Sequence, residues 1–257
     1  IWYAVGGTPD RGVVMRQSLA DGTEPGEWQA MATPEVPLLN WLHPFDDGQL
    51  VAVGQAGTLL WWSPTDETWT LMESPTEEDL WGVWGSAPDD VWAVGGRGRA
   101  QGEATLLHFD GGVWASQPLP ELTRPRVWAL FKVWGTSADN VYAVGQRGAV
   151  LRFGGVRWQE ELVGTGEDLI SLWGTGPDQI AIVGGRSNGV LSHWNGTRWN
   201  AHPLAPLPGM NGIWVDPGGV AHLAGIEGTL ARFDLGSGQW FDDPQPTRLT
   251  FHAIHGR

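Results

Sequence analysis

Apolar and polar residues alternate along this chain in short runs, and most runs stop at a glycine, a proline or an Asp- or Asn-rich turn. Such alternation predicts half-buried β-strands, because successive side chains on a strand point to opposite faces. No stretch keeps apolar residues at helical spacing beyond about three turns. Apolar runs such as 127–131 also fall far short of the roughly 20 residues that a membrane helix needs. The pattern predicts an all-β chain that is not membrane-embedded.

The runs repeat. One kind ends in glycine: Tyr3-Ala4-Val5-Gly6, Val51-Ala52-Val53-Gly54, Trp92-Ala93-Val94-Gly95, Tyr142-Ala143-Val144-Gly145, Ala181-Ile182-Val183-Gly184 and His222-Leu223-Ala224-Gly225, at intervals of 39 to 50 residues. A Trp follows each, at Trp28, Trp69, Trp114, Trp158, Trp199 and Trp240. Turns such as Asp110-Gly111-Gly112 and Asn195-Gly196-Thr197 precede these Trp residues with hairpin chemistry. A third anchor stands ahead of the Gly-ended run: Val83-Trp84-Gly85, Val133-Trp134-Gly135, Leu172-Trp173-Gly174 and Ile213-Trp214, with Leu42-His43 and Ile254-His255 in the other two copies.

Periods of about 40 to 50 residues mark propellers and solenoids. Each copy supplies four short strands, which make one propeller blade: the Trp-Gly strand, the Ala-Val-Gly strand, a third like 106–109, and the Trp-led strand. The sequence opens on a second strand and ends on a first strand, 249–256. Pairing this C-terminal strand with the N-terminal blade closes a ring and leaves no long free edge. The expectation is a single six-bladed β-propeller domain over 1–257, with four-stranded antiparallel blades at 1–33 plus 248–257, 34–73, 74–118, 119–162, 163–203 and 204–247. A seven-bladed ring with one divergent copy is the rival.

Composition sharpens this at three points. Ten of the 18 Trp residues recur as blade anchors, which predicts wedges between sheets rather than sugar-stacking faces. The non-repeating Trp41, Trp61, Trp62, Trp128 and Trp194 are better ligand candidates, with Trp61 and Trp62 on opposite faces of one strand. The absence of Cys excludes disulfides, thiolate metal sites and Cys nucleophiles. A formal charge of −14 repels phosphate backbones, so nucleic acid is not an expected partner.

Blade topology then sorts the charges. Loops after second and fourth strands emerge together and receive Arg11, Arg97, Arg99, Arg124, Arg126, Arg147, Arg186 and Arg248. The opposite turns collect Asp residues such as Asp21, Asp66, Asp110 and Asp234, which cap tight turns by bonding their own backbone. Turn chemistry does not ask for Arg, and Arg forks suit carboxylate, phosphate or sulfate. Arg97, Arg99, Arg124, Arg126, Arg147 and Arg186, with Trp41 and Trp128, are therefore the candidate binding residues for an acidic protein segment or an anionic glycan.

The run Trp84-Gly85-Ser86-Ala87-Pro88-Asp89-Asp90-Val91-Trp92-Ala93-Val94-Gly95, then Leu106-Leu107-His108-Phe109-Asp110-Gly111-Gly112 and Trp114, resembles the Asp-box (BNR-type) repeats of secreted bacterial propellers, the photosystem assembly factor group among them. Copies with Gly154 or Asn195 at the acidic turn depart from it. Kelch propellers are a second resemblance, through Gly6-Gly7, Gly95-Gly96 and Gly184-Gly185. The resemblance implies an extracellular, cell-surface or periplasmic location.

Sialidases of that scaffold use an Arg triad and a Tyr nucleophile. Tyr3 and Tyr142, the two Tyr residues here, occupy the packing position of Trp92. His43 and His255 replace the first-strand Trp in two copies that ring closure makes neighbours, and with His252 they are weak candidates for a metal; no cofactor is expected. The expected function is a monomeric, non-catalytic binding or scaffold propeller working through its loops and channel mouth. Its alternatives are a lectin with Trp-based sites and a glycan-active enzyme of sialidase type.

Overall fold

The computed structural model describes residues 1–20, 24–98 and 101–256. Asp21 and Arg99 lie outside the described residues. The chain forms two compact units, Ile1–Pro118 and Leu119–Arg257, and the boundary falls where the repeat ends one blade and begins the next.

The first unit holds three antiparallel sheets and one small ribbon. Strands β1 (Trp2–Thr8), β2 (Arg11–Gln17) and β5 (Gln29–Met31) form the first sheet, and β3 (Leu19–Ala20) pairs with β4 (Glu24–Pro25) in a ribbon inserted between β2 and β5. The second sheet is β6 (Leu39–Pro44), β7 (Leu50–Gly54), β8 (Leu59–Ser63) and β9 (Thr68–Leu71). The third is β10 (Leu80–Ala87), β11 (Asp90–Gly95), β12 (Thr105–Phe109) and β13 (Trp114–Ser116).

The second unit repeats the meander three times. Its sheets are β14 (Leu130–Ser137), β15 (Asn140–Gly145), β16 (Val150–Phe153) and β17 (Trp158–Glu160); β18 (Leu169–Gly176), β19 (Gln179–Gly184), β20 (Val190–Trp194) and β21 (Trp199–Pro203); and β22 (Met210–Val215), β23 (Val220–Gly225), β24 (Leu230–Asp234) and β25 (Trp240–Asp243). These are the six blades of a β-propeller fold, each wound in chain order.

Alternation explains the packing. Second strands such as β7 and β19 are buried on both faces, because each sits inside its sheet and neighbouring sheets of the same unit cover it front and back. In the first unit, Leu39, Leu50, Leu60 and Trp69 pack with Val14 between the first two sheets, and Val53, Leu59, Val83, Leu107 and Trp114 pack between the second and third. In the second unit, Val144, Leu172 and Ile182 fill one inter-sheet layer and Leu191, Ile213 and Phe233 the next.

Two expectations need correction. The first sheet has three strands, and no strand is assigned within 249–256. The tail's backbone is used elsewhere: Phe251 N–H donates to the Gly225 carbonyl at 3.0 Å, and Asn211 Nδ2 donates to the Phe251 carbonyl at 2.9 Å. Consistent with its place at a sheet edge, β1 is only partly buried, unlike the other second strands. The second correction is Trp28, which is 45% exposed whereas Trp69, Trp114 and Trp158 are buried. Trp28 falls just before β5 rather than inside the ladder, so no facing strand holds its ring in the layer.

Trp61 and Trp62 do separate to opposite faces. Trp61 stacks on Phe45 at 5.7 Å and contacts Phe109, while Trp62 contacts Trp69. Among the described residues no helix is long and apolar enough to cross a membrane.

Candidate functional site

The loops after the second strands are built alike in three blades. In Gln55-Ala56-Gly57, Gln146-Arg147-Gly148 and Ile226-Glu227-Gly228 the middle residue is left-handed, with φ of 51°, 58° and 57°. The next residue is glycine for a steric reason. A Cβ on Gly57, Gly148 or Gly228 would stand 1.9, 2.3 or 1.9 Å from the carbonyl oxygen of Thr76, Thr165 or Thr247. A non-glycine residue at φ near +57° costs about 1–2 kcal/mol, so something must hold it there.

At Arg147 the holder is Asp168, at the mouth of β18. Its Oδ1 accepts the Arg147 backbone N–H at 2.9 Å, and its Oδ2 accepts Arg186 Nε at 2.8 Å. The Asp168 main-chain carbonyl also accepts Gly185 N–H at 2.8 Å, so one residue ties down two loops. Arg186 lies with its Cζ 5.4 Å over the Phe131 ring, within cation–π range. Arg124 closes the other side: its Nη1 donates to the carbonyls of Arg147 at 3.1 Å and Thr165 at 2.6 Å. Gln146 Oε1 accepts the Trp128 backbone N–H at 2.9 Å, fixing the entry to β14.

This brings Arg124, Arg147 and Arg186 to one set of loops in the second unit, with Arg126 exposed two residues beyond Arg124 and itself left-handed at φ 66°. The Arg147 side chain and the Nη atoms of Arg186 make no hydrogen bond or ion pair among the described residues, and the Arg186 side chain is 51% exposed. Glu121, Glu161, Glu167 and Asp168 are the acidic residues in the same loops, so they balance the charge of Arg124, Arg126, Arg147 and Arg186, and what sets these loops apart in a chain of charge −14 is guanidinium groups with exposed ends. Lys132, next to Phe131 on β14, is buried, and burial lowers its ammonium pKa well below the ordinary value.

The remaining candidates are placed differently. Arg97 belongs to the first unit, where its Nε donates to both carboxylate oxygens of Glu78 at 3.1 and 3.0 Å. It borders an open hollow of about 560 Å³ that Glu78 and Glu103 also line, so acid outweighs base there. Trp41 is half-buried against the layer between the second and third sheets. His43 Nε2 lies 3.1 Å from the Gly85 carbonyl, with its ring edge-on to Phe45. His255 sits edge-on to Trp173 and Trp214, and His252 is exposed. Among the described residues no group of three or more His, Cys, Asp or Glu is placed to hold a metal ion.

The acidic turns are structural. Asp110 Oδ1 accepts the Gly112 and Val113 N–H groups, and Asp234 Oδ1 accepts those of Gly236 and Ser237. These bonds lower both carboxyl pKa values. Ser86, Asp90 and His108 also meet, the Ser hydroxyl and His108 Nε2 both reaching the Asp90 carboxylate. Activation of a serine needs the imidazole between hydroxyl and carboxylate; here the carboxylate stands between them, so the trio braces strands.

The sequence reading missed Asp168, Thr165, Gln146 and Phe131. One signal was available: Asp79-Leu80 and Asp168-Leu169 open equivalent first strands, and Asp79 Oδ1 accepts the Ala56 N–H at 3.1 Å in the same manner.

No protein-family profile matches the sequence, and no curated protein matches it. In structure, 635 solved chains are similar, as a widely reused scaffold would be. One of them, described as YCF48 bound to D1 peptide, superposes with a TM-score of 0.61 at 18% identity, covering 81% of this chain and 67% of that one. At that identity the likeness establishes a shared fold, the β-propeller.

Proposed function

We propose that this chain is a non-catalytic protein-interaction module that docks an acidic segment of a partner on the Arg-bearing loops of its second unit. The observation that carries the reading is the assembly of Arg124, Arg147 and Arg186 around Asp168, with guanidinium ends left for a ligand. Planar guanidinium forks match carboxylates in bidentate geometry. The loops that present them are fixed by backbone bonds, so little ordering entropy remains for a partner to oppose. A structurally similar propeller described as a peptide complex supports a peptide-like occupant over a small molecule.

The overall charge of −14 opposes an acidic ligand at long range. At physiological salt that opposition is confined to about 8 Å, so at contact the exposed guanidinium ends of Arg147 and Arg186 decide the interaction. The test is fluorescence anisotropy with a fluorescein-labelled Glu/Asp dodecapeptide at physiological salt, against a sulfated oligosaccharide and a neutral glycan. The expected result is peptide binding that weakens about a hundredfold or more when Arg124, Arg147 and Arg186 are all replaced by Ser, because each charged hydrogen bond lost costs about 1.5–3 kcal/mol. Preference for either glycan, or an unchanged affinity in the triple variant, contradicts the reading.

A further inference from the structure

The carboxylate at the centre of the Arg cluster has a charge that works against an acidic ligand, yet its geometry works for one. We infer that Asp168 is a positioning residue of the docking site: by accepting the Arg147 backbone N–H and the Arg186 Nε–H at once, it fixes the Arg147 turn and aims the Arg186 guanidinium beside it. The inference rests on the docking proposal above.

Three observations carry it. Asp168 spends its two oxygens on different loops, Oδ1 on Arg147 and Oδ2 on Arg186. Its partner on Arg186 is Nε alone, which leaves the Nη edge of the fork facing away from the carboxylate. The Phe131 ring, with Arg186 Cζ 5.4 Å from its centroid, blocks collapse of the guanidinium on that side. The first unit supplies a contrast. Asp79 accepts the Ala56 N–H, but Arg97 there pairs with Glu78 instead, so no single carboxylate couples turn and fork.

Charge and geometry predict opposite signs for one substitution. In Asp168→Asn a negative charge disappears, so a site governed by net charge alone binds an acidic peptide more tightly. Asn, however, offers one acceptor oxygen in place of two, and its amide nitrogen cannot accept a bond from Arg147 or Arg186. One of the two bonds is therefore lost, and turn and fork uncouple. Glu78→Gln serves as the control, because it removes an equal charge from the Arg97 pair in the first unit.

The experiment measures the labelled Glu/Asp dodecapeptide on the wild-type chain, Asp168→Asn, Glu78→Gln and Arg186→Lys, with amide exchange at Arg147 recorded by NMR. The expected result is roughly tenfold weaker binding for Asp168→Asn, faster exchange of the Arg147 amide, and no loss for Glu78→Gln. Arg186→Lys retains the charge on an exposed residue but lacks the Nε that Asp168 holds, so a comparable loss is expected. It decides the matter if Asp168→Asn does not fold. Unchanged or tighter binding in Asp168→Asn, or full affinity in Arg186→Lys, overturns the inference. A wild-type chain that ignores the peptide while its Arg147 amide stays protected overturns the docking proposal and the positioning role with it, although the clamp itself stands.

Discussion

Arg147 shows how one backbone angle exposes a functional commitment. Its φ of 58° suits glycine, and in the equivalent turns the position is filled by Ala56 and Glu227 at nearly the same angle. The turn therefore tolerates the strain without requiring a particular side chain, and the choice of Arg needs a reason outside the turn. Replacing Arg147 by Gly separates the two effects. It relieves about 1 kcal/mol of left-handed strain and keeps the N–H that Asp168 accepts, so thermal unfolding should occur at an equal or higher temperature. Acidic-peptide affinity should still fall about tenfold, as seen by anisotropy. A variant that unfolds earlier shows the guanidinium to be structural instead.

At the scale of elements, strands β20, β21 and β24 meet around a histidine pair. His193 and His202 stack with ring centroids 5.1 Å apart and an interplanar angle of 11°, and Phe233 of β24 packs against both. His193 Nδ1 and His202 Nε2 are buried without a hydrogen-bond partner among the described residues. Burial lowers both pKa values from 6.5, and His202 lowers that of His193 further. The folded chain thus binds fewer protons than the unfolded one just below the ordinary histidine range. Stability from this pair is complete above about pH 6.5 and is lost as pH falls from there through the lowered folded values. Thermal unfolding should drop between pH 7 and 5 in the natural chain and much less when both residues are replaced by Phe. Equal slopes in the two proteins contradict that assignment.

The same scale shows what was readable in advance. The anchors Val53-Gly54, Val94-Gly95 and Trp114 locate strands because each strand has two buried faces and each turn needs its glycine or Asp. Trp28 misled for the converse reason: its spacing matches the other copies, but the inserted ribbon of β3 and β4 precedes it. Burial there depends on a neighbour that periodicity does not report. Arg147 and Arg186 were legible as unexplained charges beside glycines, and Arg124 as one in a proline-rich loop. Asp168 was not, because its role depends on two loops that are distant in sequence, near 147 and 186, arriving at the same carboxylate.

For the molecule as a whole, a chain with 29 acidic and 15 basic residues gathers four of its Arg residues, Arg124, Arg126, Arg147 and Arg186, on loops held by main-chain bonds. Its acidic turns are occupied with their own backbone, as at Asp110 and Asp234. That division makes the location of an acidic ligand the sharpest question. Hydrogen–deuterium exchange with and without the Glu/Asp dodecapeptide answers it directly. Slowed exchange concentrated at 124–128, 146–148, 165–168 and 185–187 is the predicted result. Slowed exchange at the capped turns 110–113, 195–198 and 234–237 instead, or no change under saturating peptide, would contradict it.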